Sequence, residues 1–221
     1  MYLPAFHRED RLDLQHDLIR AHPFATLIVM GRDGLVANSL PFLLDTSVSQ
    51  NGVLRAHVAR ANPVWQEFNP DVEALVVFQG PEIYVSPNFY ATKKETGKVV
   101  PTWNYASVHA YGKMKAIEDK AWLLDFVRAL TDRHEVDQPK PWSVDDAPDD
   151  YIAMMLRGIV GIEIEVSRLE GKWKMSQNRV LADREGVAEG LRKAHDENAD
   201  AVADLVEKTS HELVHKASKP S

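Results

Sequence analysis

The sequence predicts a mainly β protein with helices, of the α+β class, in which antiparallel strands form a barrel. Six apolar or alternating segments bounded by turn residues support this prediction: 24–30, 35–44, 53–59, 72–78, 103–117 and 159–175. Turn signals at Gly31-Arg-Asp-Gly34 and Asn51-Gly52 join neighbouring strands as hairpins. A barrel of such hairpins removes exposed sheet edges. Regular βαβ alternation, which would indicate a parallel sheet, is not supported, and neither common glycine-rich phosphate loop occurs.

Helices are predicted between and after these strands. They fall at 8–21, after Asn62-Pro63, at 119–134 and 151–156, and at 184–194 and 199–215. The long polar loop at 86–101 is expected to be functional, because long ordered loops in compact domains usually are. We therefore expect a barrel domain with inserted helices at residues 1–182, and a C-terminal helical extension packed on it at residues 183–221.

Composition narrows the class of protein. The chain has 221 residues, a formal net charge of −7 and no cysteine. Thiolate chemistry, disulfides and cysteine-ligated metals are therefore excluded, and a reducing compartment fits. No basic-then-apolar leader pattern opens the sequence, and no run of about 18 apolar residues occurs in it. We expect a cytoplasmic protein that is not bound to a membrane.

The most informative segment is the strand predicted from Trp103. A period of two places Trp103, Tyr105, Ser107, His109 and Tyr111 on one face, and small residues on the other. Rings with hydrogen-bonding tips suit a flat ligand with polar edges. The alternative is an ordinary barrel strand whose aromatic side chains fill the interior.

A second segment, Arg55 to Pro63, suits a phosphate group. Its arginines and its asparagine lie where a strand leads into a helix N-terminus, where unpaired N–H groups and the helix dipole attract anions. Arginine adds a bidentate fork for phosphate oxygens. A solvated strand end is the alternative, and spacing alone does not decide between the two.

The sequence His211-Glu-Leu-Val-His215 matches a zinc-binding pattern by letter. No further ligand follows it in the sequence, and its helix has few apolar residues. We interpret the match as coincidence and predict no metal site.

Direct DNA binding is doubtful. The two C-terminal helices resemble a helix-turn-helix in their arrangement. Their charge does not suit DNA, because residues 183–216 hold nine acidic and five basic side chains. A segment that reads a groove must neutralise phosphates, and this one would mostly be repelled.

Several blocks of sequence resemble the PaiB family of FMN-binding negative transcriptional regulators, almost from end to end. They are Met1-Tyr-Leu-Pro-Ala-Phe6, Leu40-Pro-Phe42, Arg55-Ala-His-Val-Ala-Arg-Ala-Asn-Pro63, Tyr84-Val-Ser-Pro87, Gly97-Lys-Val-Val-Pro-Thr-Trp-Asn-Tyr105, Val108-His-Ala-Tyr-Gly112 and Lys172-Trp-Lys-Met-Ser-Gln-Asn-Arg179. The resemblance implies a six-stranded split β-barrel of Greek-key type with flanking and C-terminal helices. It also implies FMN as cofactor and a homodimer.

Site residues follow from the same resemblance, position by position. The FMN phosphate is expected near His57, Ala59, Arg60 and Asn62, with Ser39 facing the flavin and Trp103 and Ser107 near its ring system. A polar cluster, expected to close the site from the same or the partner subunit, consists of Lys174, Gln177, Asn178 and Arg179.

Two functions stay open at this point. The first is a flavin-dependent redox-sensing or ligand-sensing regulator. The alternative is an FMN-dependent oxidoreductase similar to pyridoxine phosphate oxidases or haem-utilisation proteins. No side chain stands out as an essential acid, base or nucleophile, so the chemistry would be that of the cofactor.

Overall fold

The structure is a computed structural model that describes residues 1–194 and 196–217, with side chains described as far as residue 212. All six predicted strands are present, but the strand predicted at 72–78 spans Ala74–Val85 and the segment predicted at 35–44 is divided into two strands. A short strand at Arg8–Glu9 occupies the start of the helix predicted at 8–21. The strands are β1 (Arg8–Glu9), β2 (Phe24–Gly31), β3 (Gly34–Pro41), β4 (Leu43–Asp45), β5 (Val53–Ala59), β6 (Ala74–Val85), β7 (Thr102–Ile117) and β8 (Ile159–Lys174).

The predicted helices are present with shifted ends, and a further short helix lies in the segment 86–101 that was predicted as a loop. Those of the described residues are α1 (Leu12–Ala21), α2 (Val64–Glu67), α3 (Lys93–Thr96), α4 (Lys120–Glu135), α5 (Asp149–Arg157), α6 (Leu181–Arg192) and α7 (Glu197–Ala217). Asp119 caps α4 by accepting a hydrogen bond from the Trp122 N–H at 2.8 Å. Within the described residues, no helix is both long enough and apolar enough to cross a bilayer.

The hydrogen-bonded strand order is β3-β2-β6-β7-β8-β5-β4, with β1 beside β8. The fold is the predicted antiparallel split barrel, but this strand path is open and ends at β3 and β4. The expectation that hairpins would close the barrel and remove its edges is therefore wrong. Strand β3 keeps an open edge, and most of its residues are exposed or half-buried.

The chain divides into two compact units. Unit 1 contains residues 1–18, 79–108 and 170–221, and unit 2 contains residues 19–78 and 109–169. The C-terminal helices α6 and α7 belong to unit 1 and pack against each other. The domain boundary expected at residue 182 stays a prediction.

Unit 2 contains two groups of antiparallel strands. Strand β2 pairs with β3 through a tight turn at Gly31 and Gly34, and Gly34 has φ +126°, a conformation that favours glycine. Strand β5 pairs with both β4 and β8. The segment predicted as one strand at 35–44 is interrupted at Phe42, because this side chain turns into the core and packs edge-on against Phe78 with ring centroids 5.9 Å apart.

Unit 1 corrects one sequence expectation. The sequence predicts a turn near Glu170-Gly171, but β8 continues through both residues as far as Lys174. Gly171 lies opposite Glu9 of β1, and a Cβ atom at residue 171 would come within 2.6 Å of the Glu9 carbonyl oxygen. The glycine therefore permits close strand approach and does not mark a turn.

Candidate functional site

The alternation predicted for β7 is present, and it decides where the aromatic face points. Asn104, Ala106 and Val108 are fully buried, whereas Trp103 is 54% exposed and Tyr105 is half-buried. The face of β7 that carries the smaller side chains therefore fills the interior. The alternative interpretation, in which the aromatic side chains fill the interior, is wrong for these residues. Ser107 shares the face of Trp103 but is buried.

A cavity of about 440 Å³ opens beside Trp103 within unit 1. This volume lies in the usual range for small-molecule sites. Among the described residues that line it, three side chains are cationic, five are aromatic rings of tyrosine, phenylalanine or tryptophan, and none is a carboxylate. The lining residues are Tyr2, Pro4, Phe6, His7, Tyr90, Val100, Pro101, Thr102, Trp103, Asn104, Tyr105, Lys172, Lys174, Ser176, Asn178 and Arg179.

Neutral groups hold the three cations in place. The Lys172 Nζ donates to the carbonyl oxygen of Tyr2 at 3.0 Å, and the Lys174 Nζ donates to Thr102 Oγ1 at 2.5 Å and to the Trp103 carbonyl. The Arg179 guanidinium lies 4.7 Å from the ring centroid of Tyr90. None of these contacts is to a carboxylate, so the three positive charges stay available to an anionic ligand.

Burial affects the charge of one of these lysines. Burial lowers the pKa of Lys174, and the neighbouring positive charge of Lys172 lowers it further. Two cations are therefore held close together, and an anionic ligand would relieve their repulsion.

Asn104, which also lines the cavity, contains an unsatisfied donor. Its side chain is fully buried, and its Oδ1 accepts a hydrogen bond from Ser176 Oγ at 3.1 Å. Its Nδ2 is buried and has no hydrogen-bond partner among the described residues. A buried donor without a partner costs about 1–3 kcal/mol, so an acceptor on a bound ligand would remove a real penalty.

Gln177 has a structural role next to the cavity. Its Oε1 accepts hydrogen bonds from His7 Nδ1 at 2.8 Å and from the Met175 N–H at 2.7 Å, and its Nε2 donates to the Trp173 carbonyl at 2.6 Å. These bonds fix the segment after β8 and orient the imidazole. Burial lowers the pKa of His7, so the ring is neutral at pH 7.

The remaining predicted residues lie in unit 2, and Arg60 is the most constrained of them. Its Nη1 pairs with Glu118 at 2.6 Å, and its Nε and Nη2 donate to the carbonyl oxygens of Arg157 and Ile159. Asn62 Oδ1 accepts a hydrogen bond at 3.0 Å from the N–H of Val64, the first residue of the four-residue helix α2. A phosphate at Arg60 would have to displace the Glu118 carboxylate.

His57, Ala59 and Ser39 complete the unit 2 set. The His57 ring packs edge-on against Phe126 with centroids 5.8 Å apart, and its Nδ1 is buried without a partner among the described residues. Burial lowers the pKa of His57, so the ring is neutral. Ala59 and Ser39 are exposed. The assignment of all these residues to the FMN phosphate and ring stays a prediction.

Four of the predicted site residues therefore share one cavity: Trp103, Lys174, Asn178 and Arg179. Sequence reasoning missed Tyr90, Asn104 and Lys172. Lys172 could have been identified from the sequence, because it precedes Lys174 by two residues on one strand and therefore lies on the same face. Asn104 and Tyr90 carried no such signal.

The His211-Glu-Leu-Val-His215 match gains no further support. His211 is exposed, and the side chains of Leu213 to His215 lie outside the described residues. Among the side chains that are described, no cluster has the composition of a metal site. That the motif binds no zinc stays a prediction.

Comparison with known proteins identifies the family. Residues 1–168 match the model of a family described as "Putative FMN-binding domain". A Bacillus subtilis protein named protease synthase and sporulation protein PAI 2 is 30% identical, over 94% of this chain and 97% of its own length. The chain belongs to the PaiB family of FMN-binding proteins. An uncharacterized protein of Emericella nidulans is 36% identical, over 93% of this chain and 96% of its own.

Solved structures agree on the fold. The flavocytochrome Anf3 of Azotobacter vinelandii aligns with a TM-score of 0.53 at 12% identity, over 76% of this chain and 69% of its own. An FAD and haem binding protein of Mycobacterium smegmatis aligns with a TM-score of 0.50 at 15% identity, over 76% of this chain and 73% of its own. At this level of identity the likeness shows the split-barrel fold alone.

FMN is the cofactor of this PaiB-family protein. The unit 1 cavity fits such a molecule on three counts. It offers cations without carboxylates for a phosphate, an exposed indole for a flat ring, and the Asn104 Nδ2 as a donor for a ring acceptor.

Proposed function

We propose that the protein is a flavin-dependent redox-sensing or ligand-sensing regulator that binds FMN in the unit 1 cavity. One observation supports this proposal above the others: the described residues that line the cavity beside the exposed Trp103 include three cations and no carboxylate. This charge pattern suits a dianionic phosphate, to which guanidinium and ammonium groups donate strong hydrogen bonds.

Five of the lining residues would contact FMN directly. Lys172, Lys174 and Arg179 would hold the phosphate, Trp103 would present its face to the flavin, and Asn104 would donate to a ring carbonyl or nitrogen. When bound, FMN supplies hydride or electron transfer. The protein supplies orientation, charge and exclusion of water.

We favour sensing over substrate turnover because none of the described residues that line the cavity is a carboxylate, and Gln177 accepts a hydrogen bond from its imidazole, His7. We expect the FMN-loaded protein to oxidise NADH and NADPH no faster than free FMN does. Absorbance at 340 nm under air measures this rate. Turnover well above the free-flavin rate would support the oxidoreductase alternative.

A homodimer is part of the proposal. Apolar side chains are exposed on the β2–β3 hairpin, with Phe24 at 69% and Leu35 at 74% exposure. Together with the open edge of β3, they form a surface that a second copy of this chain would cover. A cytoplasmic location, which the absence of cysteine favours, is also proposed.

The proposed regulator acts through partners and not through specific DNA binding. The net charge is −7, and the helix pair α6 and α7 is acidic. The exposed Lys93, Lys94 and Lys98 form a short basic stretch that could contact DNA, but the Lys93 Nζ donates a hydrogen bond to Asn88.

We expect no sequence-selective complex in gel-shift assays at physiological salt, with or without FMN. Affinity for DNA falls by about 0.9 log unit per log unit of salt for each phosphate neutralised, so any weak complex should also show a shallow salt dependence. A nanomolar, selective complex that is lost when Lys93, Lys94 and Lys98 become alanine would contradict this prediction.

A further inference from the structure

The segment that follows β6 carries one wall of the cavity, although most of it has no regular structure. Tyr90 lies in this segment, is 2% exposed, and lines the cavity beside Arg179. Local hydrogen bonds give the segment a 3₁₀ turn at Pro87–Phe89 and the short helix α3. Such short elements are not stable alone, so another part of the chain must fix where Tyr90 lies.

Helix α6 holds this segment through a buried carboxylate. Asp183 is 2% exposed, and its two oxygens accept hydrogen bonds from the Thr92 N–H and the Thr92 hydroxyl, each at 2.9 Å. Both bonds have a charged acceptor in a buried setting, so each is stronger than a neutral hydrogen bond.

A second contact holds the other side of Tyr90. Phe89 packs directly on α6 at two glycines one helical turn apart. A Cβ atom at Gly186 would lie 2.2 Å from the Phe89 carbonyl oxygen, and one at Gly190 would lie 2.4 Å from the Phe89 ring. Tyr90 is therefore bracketed by Phe89 and Thr92, both of which are held by α6.

We propose that Asp183 is a positioning residue for the flavin site: by holding Thr92, it fixes the wall that contains Tyr90 and so sets the affinity for FMN. This inference rests on the proposed binding of FMN in the unit 1 cavity. It gives a role to α6, which lies beyond the residues matched by the family model. The helix would shape the ligand site without touching the ligand.

Asp183→Ala tests the proposal with two independent readouts. The first is the rate of tryptic cleavage after Lys93 and Lys94, which reports whether the segment is held and needs no flavin. The second is the dissociation constant for FMN, measured well below the melting temperature. We expect each to rise about tenfold or more, because the variant loses both charge-assisted hydrogen bonds to Thr92 and every 1.4 kcal/mol is a factor of ten.

Three variants serve as controls. Glu185→Ala removes an exposed carboxylate from the same helix and should change neither readout. Asp183→Asn keeps an acceptor for the Thr92 N–H and a donor for its hydroxyl, and should restore most of the FMN affinity. If Asp183→Ala does not fold, Thr92→Val removes the hydroxyl bond at nearly constant shape and should still raise both readouts.

The outcomes separate this proposal from the proposed function. Failure of the unaltered protein to bind FMN would reject the proposed function, while tryptic cleavage would still report on the Asp183 contact. Unchanged cleavage in Asp183→Ala would overturn the holding role. Faster cleavage with unchanged FMN affinity would overturn the positioning role. A lower melting temperature with unchanged FMN affinity would identify Asp183 as a stabilising residue only.

Discussion

Replacing Lys174 and Arg179 together by alanine is expected to weaken FMN binding by about a hundredfold or more. A hydrogen bond to a charged partner contributes about 1.5–3 kcal/mol, and every 1.4 kcal/mol is a factor of ten in affinity. Riboflavin lacks the phosphate, so its affinity should fall only a few fold. Quenching of flavin fluorescence measures both constants, and we expect the unaltered protein to bind FMN with micromolar or better affinity.

Arg60→Ala provides the critical comparison for this prediction. Arg60 was assigned to the phosphate from the sequence, but its guanidinium is held by Glu118 and by two carbonyl oxygens. We expect its replacement to leave the ratio of FMN to riboflavin affinity unchanged. Arg128, another partly exposed arginine with a carboxylate partner, is the matched control. A selective loss of FMN affinity in Arg60→Ala alone would place the phosphate in unit 2 and contradict the proposed cavity.

Phe78→Ala is expected to lower the free energy of unfolding by about 3–5 kcal/mol, which is the usual cost of deleting a buried ring. The Phe78 side chain is fully buried and packs edge-on against Phe42 in the core of unit 2. Urea denaturation followed by far-UV circular dichroism measures the change. Such a loss is a large share of the stability of a typical domain.

Tyr151→Ala is the control for this stability prediction. Its ring is 50% exposed on α5, so its removal should cost well under 1 kcal/mol. Equal losses for the two variants, or a loss below 1 kcal/mol for Phe78→Ala, would show that the Phe42–Phe78 pair does not form the core of unit 2.

Most of the fold was predictable because its signals are local. Alternation in β7 and the turn glycines at residues 31 and 34 are visible within a few residues of sequence. The errors arose where a long-range contact decides the conformation. Gly171 resembles a turn residue, but β1 approaches it closely and keeps it extended. Phe42 interrupts a strand pattern because its ring turns into the core.

The candidate site was less predictable for the same reason. Trp103 was identified first from the alternation of its strand and Arg179 from the family resemblance, and both line one cavity. The engagement of Arg60 by Glu118 joins residues 58 positions apart, and the Thr92–Asp183 contact joins residues 91 positions apart. No local pattern predicts either contact, because each depends on how distant segments pack.

The most direct test of the central claim is whether FMN contacts Trp103. Protein labelled with ¹⁵N at its five indole groups gives one N–H signal for each tryptophan. Trp103→Phe assigns the signal of the cavity residue, and Trp142, which is 48% exposed on unit 2, serves as the internal reference. With one equivalent of FMN, we expect the Trp103 signal to show the largest shift and the Trp142 signal to stay in place. An unchanged Trp103 signal in protein that has bound FMN would contradict the account.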